Sequence, residues 1–289
     1  MTSELAQRLV GRFGQDGLRR FDAADLAPAA APAGAAELLA GTGVPVQVGP
    51  YFETRSDEPA TLGGYAAQLE LAVPGNGEEH WVRLGTDRGA ELCLDGRGQV
   101  WAVYLAFPEP PVLVNTDLAA FLGSLVELDD NLRKLAAADR PEEIFRLFAE
   151  AESRLRAADL RAFEDDELWW PRVLEDVRHT RGVPGYAAFK YRGAKGEPEI
   201  VTADGSLALH PEEAVWYRLN AAGVEPEDVL EVYTELQACS MPGHYCSVWM
   251  ARAFPQAEFS HSYDYGDTAA EREAGVRELA AALEESTRG

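Results

Sequence analysis

Three cysteines, five histidines and three methionines are all the chain has of those residues in 289 positions. An odd number of thiols cannot form the closed disulfide framework that staples small secreted domains. Positive charge is scarce as well. Against 49 Asp and Glu there are only 26 Lys and Arg, a net charge of −23. The deficit is spread over the chain: residues 1–160 carry 14 basic and 25 acidic side chains, and residues 161–289 carry 12 and 24. Proteins that grip nucleic acid through its phosphates display a basic stripe. Lys190, Arg192 and Lys195 are scattered positives rather than such a stripe, which argues against tight nonspecific binding to a polynucleotide. No run approaches the ~20 apolar residues of a membrane span. The opening "MTSELAQRLVGRFGQDGLRRF" lacks the basic start, apolar run and small-residue cleavage site of an export signal. The expectation is a soluble cytoplasmic protein with no membrane partner.

What is present is a substantial core. Apolar residues make up 46% of the chain, and its length suits one large domain or two ordinary ones. Residues 1–20 read as an amphipathic helix with Leu5, Leu9 and Phe13 on one face. The Ala/Pro-rich stretch that follows reads as a loop at Pro28 and Pro32, then a short helix closed by Gly41. From 44 to 114, short Val-, Leu- and aromatic-rich segments alternate with turns. "HWVRLG", "AELCLDGRGQVWAVYLA" and "PPVLVN" are the clearest strands, with Asp95-Gly96 a hairpin turn. Helices follow over "NTDLAAFLGSLVELDDNLRKLAA", capped by Asn115 or Thr116, then over 140–159 and 164–180.

"RLGTDRGAELCLDGRGQVWAVYL", "VNTDLAAFLGSL" and "LWWPRVLEDV" together resemble the SUKH superfamily, and within it the bacterial immunity proteins abundant in actinobacteria. The motifs that carry the likeness are the Gly85-x-Asp87 turn, the Asp95-Gly96 hairpin and the Asn115 cap before Phe121. The resemblance implies an α+β domain over 1–178, with a curved sheet and helices, that binds a toxin or another protein partner. Each of these residues also reads as a turn, a cap or a core aromatic, and Cys93 as a small core hydrophobe.

Beyond 182 the pattern becomes β-β-α-β-α-β-α, which argues for a layered α/β unit over 182–289. Two strands form a hairpin. His210 then opens a helix with Pro211 at its first position and Glu212 and Glu213 in its first turn. The apolar strand "DVLEVYTEL" leads directly to Cys239, and Cys246 opens the helix "CSVWMARAF".

His-x-Glu on one helix, a strand, and cysteines leading into the next helix resemble the zinc-dependent cytidine deaminase superfamily, nearest to its bacterial toxin deaminases. The likeness implies a three-layer α/β/α fold, Zn²⁺ held by His210, Cys239 and Cys246, and Glu212 as the proton shuttle. One imidazole and two thiolates also suit zinc on chemical grounds, leaving a fourth position for water. Two departures stand out. Ala238 occupies the place of the superfamily's proline, and six residues rather than two lie between the cysteines, around the turn residues Pro242 and Gly243. His244, within that insert, could replace either Cys246 or His210 as a ligand.

Trp216, Tyr217 and Trp249 read mostly as core, with one of them free to line a base pocket, His261 and Tyr263 as core or pocket wall, and His80 and His179 carry no pattern that assigns them a role. Two functions follow. One is hydrolytic deamination of a cytosine- or adenine-type base, as a nucleoside, a nucleotide or in a single strand. The other is an immunity protein with an idle deaminase-like tail.

Overall fold

The computed structural model describes residues 2–288 except Pro28, Ala30, Asn76 and Pro108. The loop expected at Pro28 therefore lies outside the described residues. The chain forms two compact units, Met1–Leu174 and Glu175–Gly289.

The first unit opens with helix α1 (Thr2–Phe13), shorter than the helix expected over 1–20. Gly14, at φ +73°, ends it by donating its N–H to the Val10 carbonyl. The residues beyond enter a short strand, Leu18–Arg19, paired with Val44–Pro45. A six-stranded sheet follows: β1 (Gln47–Val48), β2 (Phe52–Glu53), β3 (Val82–Thr86), β4 (Glu91–Leu94), β5 (Val100–Val103) and β6 (Val112–Asn115). They lie in chain order and every pair is antiparallel. Helices α2 (Leu118–Ala137) and α3 (Pro141–Ala158) come next, so the unit is α+β. The cap of α2 is Asp117, whose side chain accepts from the Ala120 N–H at 2.8 Å. Asn115, expected as a cap, closes β6 instead.

The turn and cap motifs meet on two buried tryptophans. Trp169 and Trp170 open helix α4 (Trp169–Gly182), which begins five residues later than the helix expected from 164. The Trp169 indole N–H donates to Asp87 Oδ2 at 2.8 Å, and the Trp170 indole N–H donates to Asn115 Oδ1 at 2.8 Å. Asp87 also closes its own turn by accepting from the Gly89 and Ala90 N–H groups. Asn115 in turn donates to Asp159 at 3.1 Å. A buried indole N–H needs such a partner. Gly85 leaves room where a Cβ would lie 2.5 Å from the Glu53 carbonyl and 2.8 Å from the Phe52 ring. Asp95 accepts from the Arg97 and Gln99 N–H groups and shapes the hairpin turn. Cys93 is fully buried in the core.

The second unit has a mixed four-stranded sheet in the order β8-β7-β9-β10, from β7 (Tyr186–Arg192), β8 (Pro198–Asp204), β9 (Val229–Leu236) and β10 (Glu258–Tyr263). β7 pairs antiparallel with both β8 and β9, whereas β9 and β10 run parallel. The parallel pair requires a crossover, supplied by helix α6 (Cys246–Ala253). Helix α5 (Pro211–Ala221) packs on β7 and β8, and helix α7 (Ala269–Arg288) on β9 and β10. The unit is α/β. Phe254 centres its core, edge-on to Phe189, Trp216 and Trp249 at centroid distances of 5.7, 4.9 and 5.9 Å. Tyr217 departs from expectation: it is half exposed, because its helix turns that face to solvent. β10, with a neighbour on one side only, is exposed along most of its length, His261 included.

Asn115→Ala removes the acceptor of the Trp170 indole and the donor to Asp159. It is expected to cost the first unit about 1–3 kcal/mol. Urea unfolding of the full chain checks this; a denaturation midpoint equal to wild type would contradict the latch.

Candidate functional site

Three chain segments of the second unit converge on one buried spot. His210 sits at the N-cap of α5 with extended backbone (φ −76°, ψ 150°), and its N–H donates to Glu213 Oε2 at 3.0 Å, fixing the helix start. Cys239 lies in the loop after β9, where its carbonyl accepts from the Ser247 N–H at 2.9 Å. Cys246 is the first residue of α6 and is fully buried. The insert between the cysteines turns at Gly243 (φ +84°), and Tyr245 takes φ +44°, a left-handed conformation that side chains disfavour. The hydrogen bonds of the His244 and Tyr245 N–H groups to the Met241 carbonyl hold this loop.

The structure brings His210, Cys239 and Cys246 together. His210 Nδ1 is 3.4 Å from Cys239 Sγ and 3.5 Å from Cys246 Sγ, and all three ligand atoms lie within 4.8 Å of one another. A tetrahedral zinc site with Zn–N of ~2.0–2.1 Å and Zn–S of ~2.3 Å has N···S edges of about 3.5 Å. The donor set and its spacing therefore fit the ion. Glu212, two residues on, is buried, and with His210 and Cys239 it lines a cleft whose other walls include Tyr186, Gln237 and Tyr265.

The site's electrostatics are those of groups forced into charge pairs. Burial opposes charge on His210, yet the Cys239 and Asp176 anions beside it raise its pKa well above the usual imidazole value. Burial also works against a Cys239 thiolate, but hydrogen bonding from Cys246 and the charge on His210 take its pKa well below that of a free thiol. Burial and the Cys239 anion push Cys246 the other way. Burial raises the Glu212 carboxyl, with His210 pulling against it.

His244 is not in the His-Cys-Cys group. Its ring stacks on His210 at a centroid distance of 3.8 Å and a 9° interplanar angle. Its Nδ1 meets Glu213 Oε2 at 2.7 Å and its Nε2 lies 3.1 Å from Asp176 Oδ2. Asp176 also accepts from His210 Nε2, at 2.9 Å. Asp176, His210 and His244 thus form a second cluster of metal-ligating residue types, but their contacts are at hydrogen-bond and ion-pair distances.

Sequence reasoning passed over Asp176, His179 and Tyr265. His179 Nδ1 is 3.0 Å from the Tyr265 hydroxyl, and both residues line the cleft. Asp176 and His179 are four and seven residues beyond Arg172 in a helix whose local sequence reads only as amphipathic. Their one signal was that acidic and imidazole side chains sat where that helix was otherwise apolar. His80 is exposed and lies 3.7 Å from the carboxylate of its neighbour Glu79.

An α+β unit is thus followed by an α/β unit bearing a buried His-Cys-Cys-Glu group. Residues 5–176 match the family model described as SUKH-4 immunity protein, and residues 182–282 match the model described as Xanthomonas-like deaminase. The chain belongs to the SUKH-4 immunity protein family and carries a deaminase-family domain C-terminal to the immunity domain. No curated protein and no solved structure gives a significant match. Among the described residues no helix is long and apolar enough to cross a membrane.

Burial, together with the Arg178 charge, lowers His179 to about 4, against ~6.5 in an unfolded chain. A depressed imidazole contributes stability above pH 6.5 and loses it as pH falls through the folded-state value. The second unit should therefore lose up to roughly 3 kcal/mol from this group between pH 6.5 and 4. His179→Gln is expected to flatten that part of the profile, read as urea midpoints of the full chain at successive pH values. An unchanged slope would contradict the assignment.

Proposed function

We propose that the second unit is a zinc-dependent hydrolytic deaminase acting on a cytosine- or adenine-type base, presented as a nucleoside, a nucleotide or within a single strand. The observation that carries the reading is the approach of His210 Nδ1 to both thiol sulfurs beside buried Glu212, at the floor of an open cleft. His210, Cys239 and Cys246 would hold the ion, which when bound lowers the pKa of a coordinated water to around 7.

The remaining work falls to Glu212. Its carboxylate takes a proton from the attacking water as the new C–O bond forms at the amino-bearing ring carbon. It delivers that proton to the adjacent ring nitrogen. It then passes the second proton to the amino group, the C–N bond breaks and ammonia leaves, with a ring carbonyl in its place. A carboxyl whose pKa is raised by burial suits a group that must both accept and return a proton. Tyr186, partly exposed in the cleft wall, offers a flat ring for a base to stack on. Among the described residues the cleft lining includes Asp176 and Glu212 and no Lys or Arg, which favours recognition through the neutral base rather than through phosphate.

The first unit, as an immunity-family domain, is read as the part that binds a toxin or another protein partner. Phe145 and Leu160 are its most exposed large apolar side chains, at 75% and 68%, and offer apolar surface for such a contact. The cytoplasm is the compartment that fits a reduced thiol pair and an intracellular toxin–immunity setting.

Purified wild type is expected to carry about one zinc per chain by elemental analysis, and His210→Ala and Cys246→Ala to carry none. Glu212→Gln should keep the metal and lose at least about a hundredfold in ammonia release from the responsive base. Wild type that neither holds nor takes up zinc would overturn the enzyme reading. Full turnover by Glu212→Gln would remove Glu212 from its role.

A further inference from the structure

The unusual spacing of the cysteines and the unassigned acid of helix α4 have one explanation. His210 presents Nδ1 to the two sulfurs and Nε2 to Asp176 Oδ1 at 2.9 Å, so its two nitrogens face opposite ways. A ring that gives one nitrogen to a metal must carry its proton on the other, and a carboxylate accepting that proton fixes both tautomer and orientation. Asp176 is 1% exposed, so water does not compete for the contact. Its second oxygen faces His244 Nε2 at 3.1 Å, and His244 Nδ1 meets Glu213 Oε2 at 2.7 Å. Glu213 closes the circuit by accepting from the His210 backbone N–H at 3.0 Å. The six-residue insert between the cysteines thus delivers one ring, His244, which lies flat against His210 at 3.8 Å.

We propose that Asp176 is a positioning residue for the metal-binding imidazole of His210, and that the Cys239–Cys246 insert is long because it supplies His244 to brace Asp176. The inference rests on the zinc reading of His210, Cys239 and Cys246. Asp176 contacts no reacting atom. It acts by holding the His210 ring in the Nε2–H form, aimed at the two thiolates.

The test uses the full chain, zinc and a competing chelator. Wild type should bind zinc tightly. Asp176→Ala should bind it 10–100-fold more weakly, the range typical of outer-shell partners of metal-bound histidine. Asp176→Asn, which keeps one carbonyl acceptor, should fall between the two. His244→Ala should weaken zinc binding by less than Asp176→Ala does. Circular dichroism establishes that the variants fold. A second readout needs no variant: long-range ¹H–¹⁵N correlations of the zinc-loaded wild type should show His210 coordinated through Nδ1 and protonated at Nε2. Equal affinity in wild type and Asp176→Ala, or coordination through Nε2, would overturn the inference while leaving the zinc site standing. Wild type that binds no zinc would overturn both.

Discussion

A buried carboxylate at the shared edge of two stacked imidazoles is the constraint on which the second unit depends. Isolated in an apolar interior, any one of these groups would be costly to charge. Together they are mutually required: His244 and His210 hold Asp176 far below the ordinary carboxylate range against the effect of burial. Asp176 in turn lifts His244 to about 9, against burial and against the like charge of His210. Stacking two imidazoles at 3.8 Å makes sense only with an anion at their shared edge. The arrangement fixes the positions of α4, the start of α5 and the insert before α6 relative to one another within the unit. Those are the segments that must be in register for His210 to face both thiols.

The sheet contributes in a different way. β9 is a central strand, paired with β7 on one side and β10 on the other, and its end delivers Cys239 beside the N-cap of α5. The parallel pairing of β9 and β10 forces a crossover, and the crossover helix begins at Cys246. One topological requirement therefore places both thiols at the same end of the sheet, where α/β folds collect their ligands. A second buried pair anchors the far helix: Arg272 of α7 makes a two-pronged contact to Glu175, at 2.8–3.1 Å. That contact sits one residue from Asp176 and steadies its turn of helix.

What the sequence made legible was local. Pro211 after His210, acids in the first turn of α5, the apolar run of β9 and the alternation of elements are each signalled within a few residues, and the α/β class of the second unit follows from them, whereas the α+β class of the first came from its resemblance to the SUKH superfamily. The boundaries erred where a single competing residue decided the matter. Gly14 stopped α1 early, and Asp117 outcompeted Asn115 and Thr116 as the cap of α2 because Asn115 was already committed to Trp170 and Asp159. The long-range partners were invisible. Nothing near Asp87 in sequence announces Trp169, 82 residues away, and nothing near Asp176 announces His210. His244 drew notice because an imidazole between two cysteines is conspicuous, but its ring lies flat on the face of His210 and its nitrogens meet Glu213 and Asp176.

The family matches and the compact units divide the chain at different places, and the difference has a chemical meaning. The deaminase match begins at residue 182 and the immunity-family match ends at 176, so Asp176 falls at the last position of the latter. By packing, it belongs to the second unit, which begins at Glu175. A family model aligns what its members share in sequence, whereas a packed unit includes whatever its buried charges need for neutralisation. Without Asp176, the Nε2 atoms of the stacked His210 and His244 rings would lose the carboxylate they share. The packed unit that contains the deaminase-family match therefore begins inside α4, upstream of Asp176, and a fragment cut where the sequence match begins would leave out the carboxylate that meets His210 Nε2 at 2.9 Å.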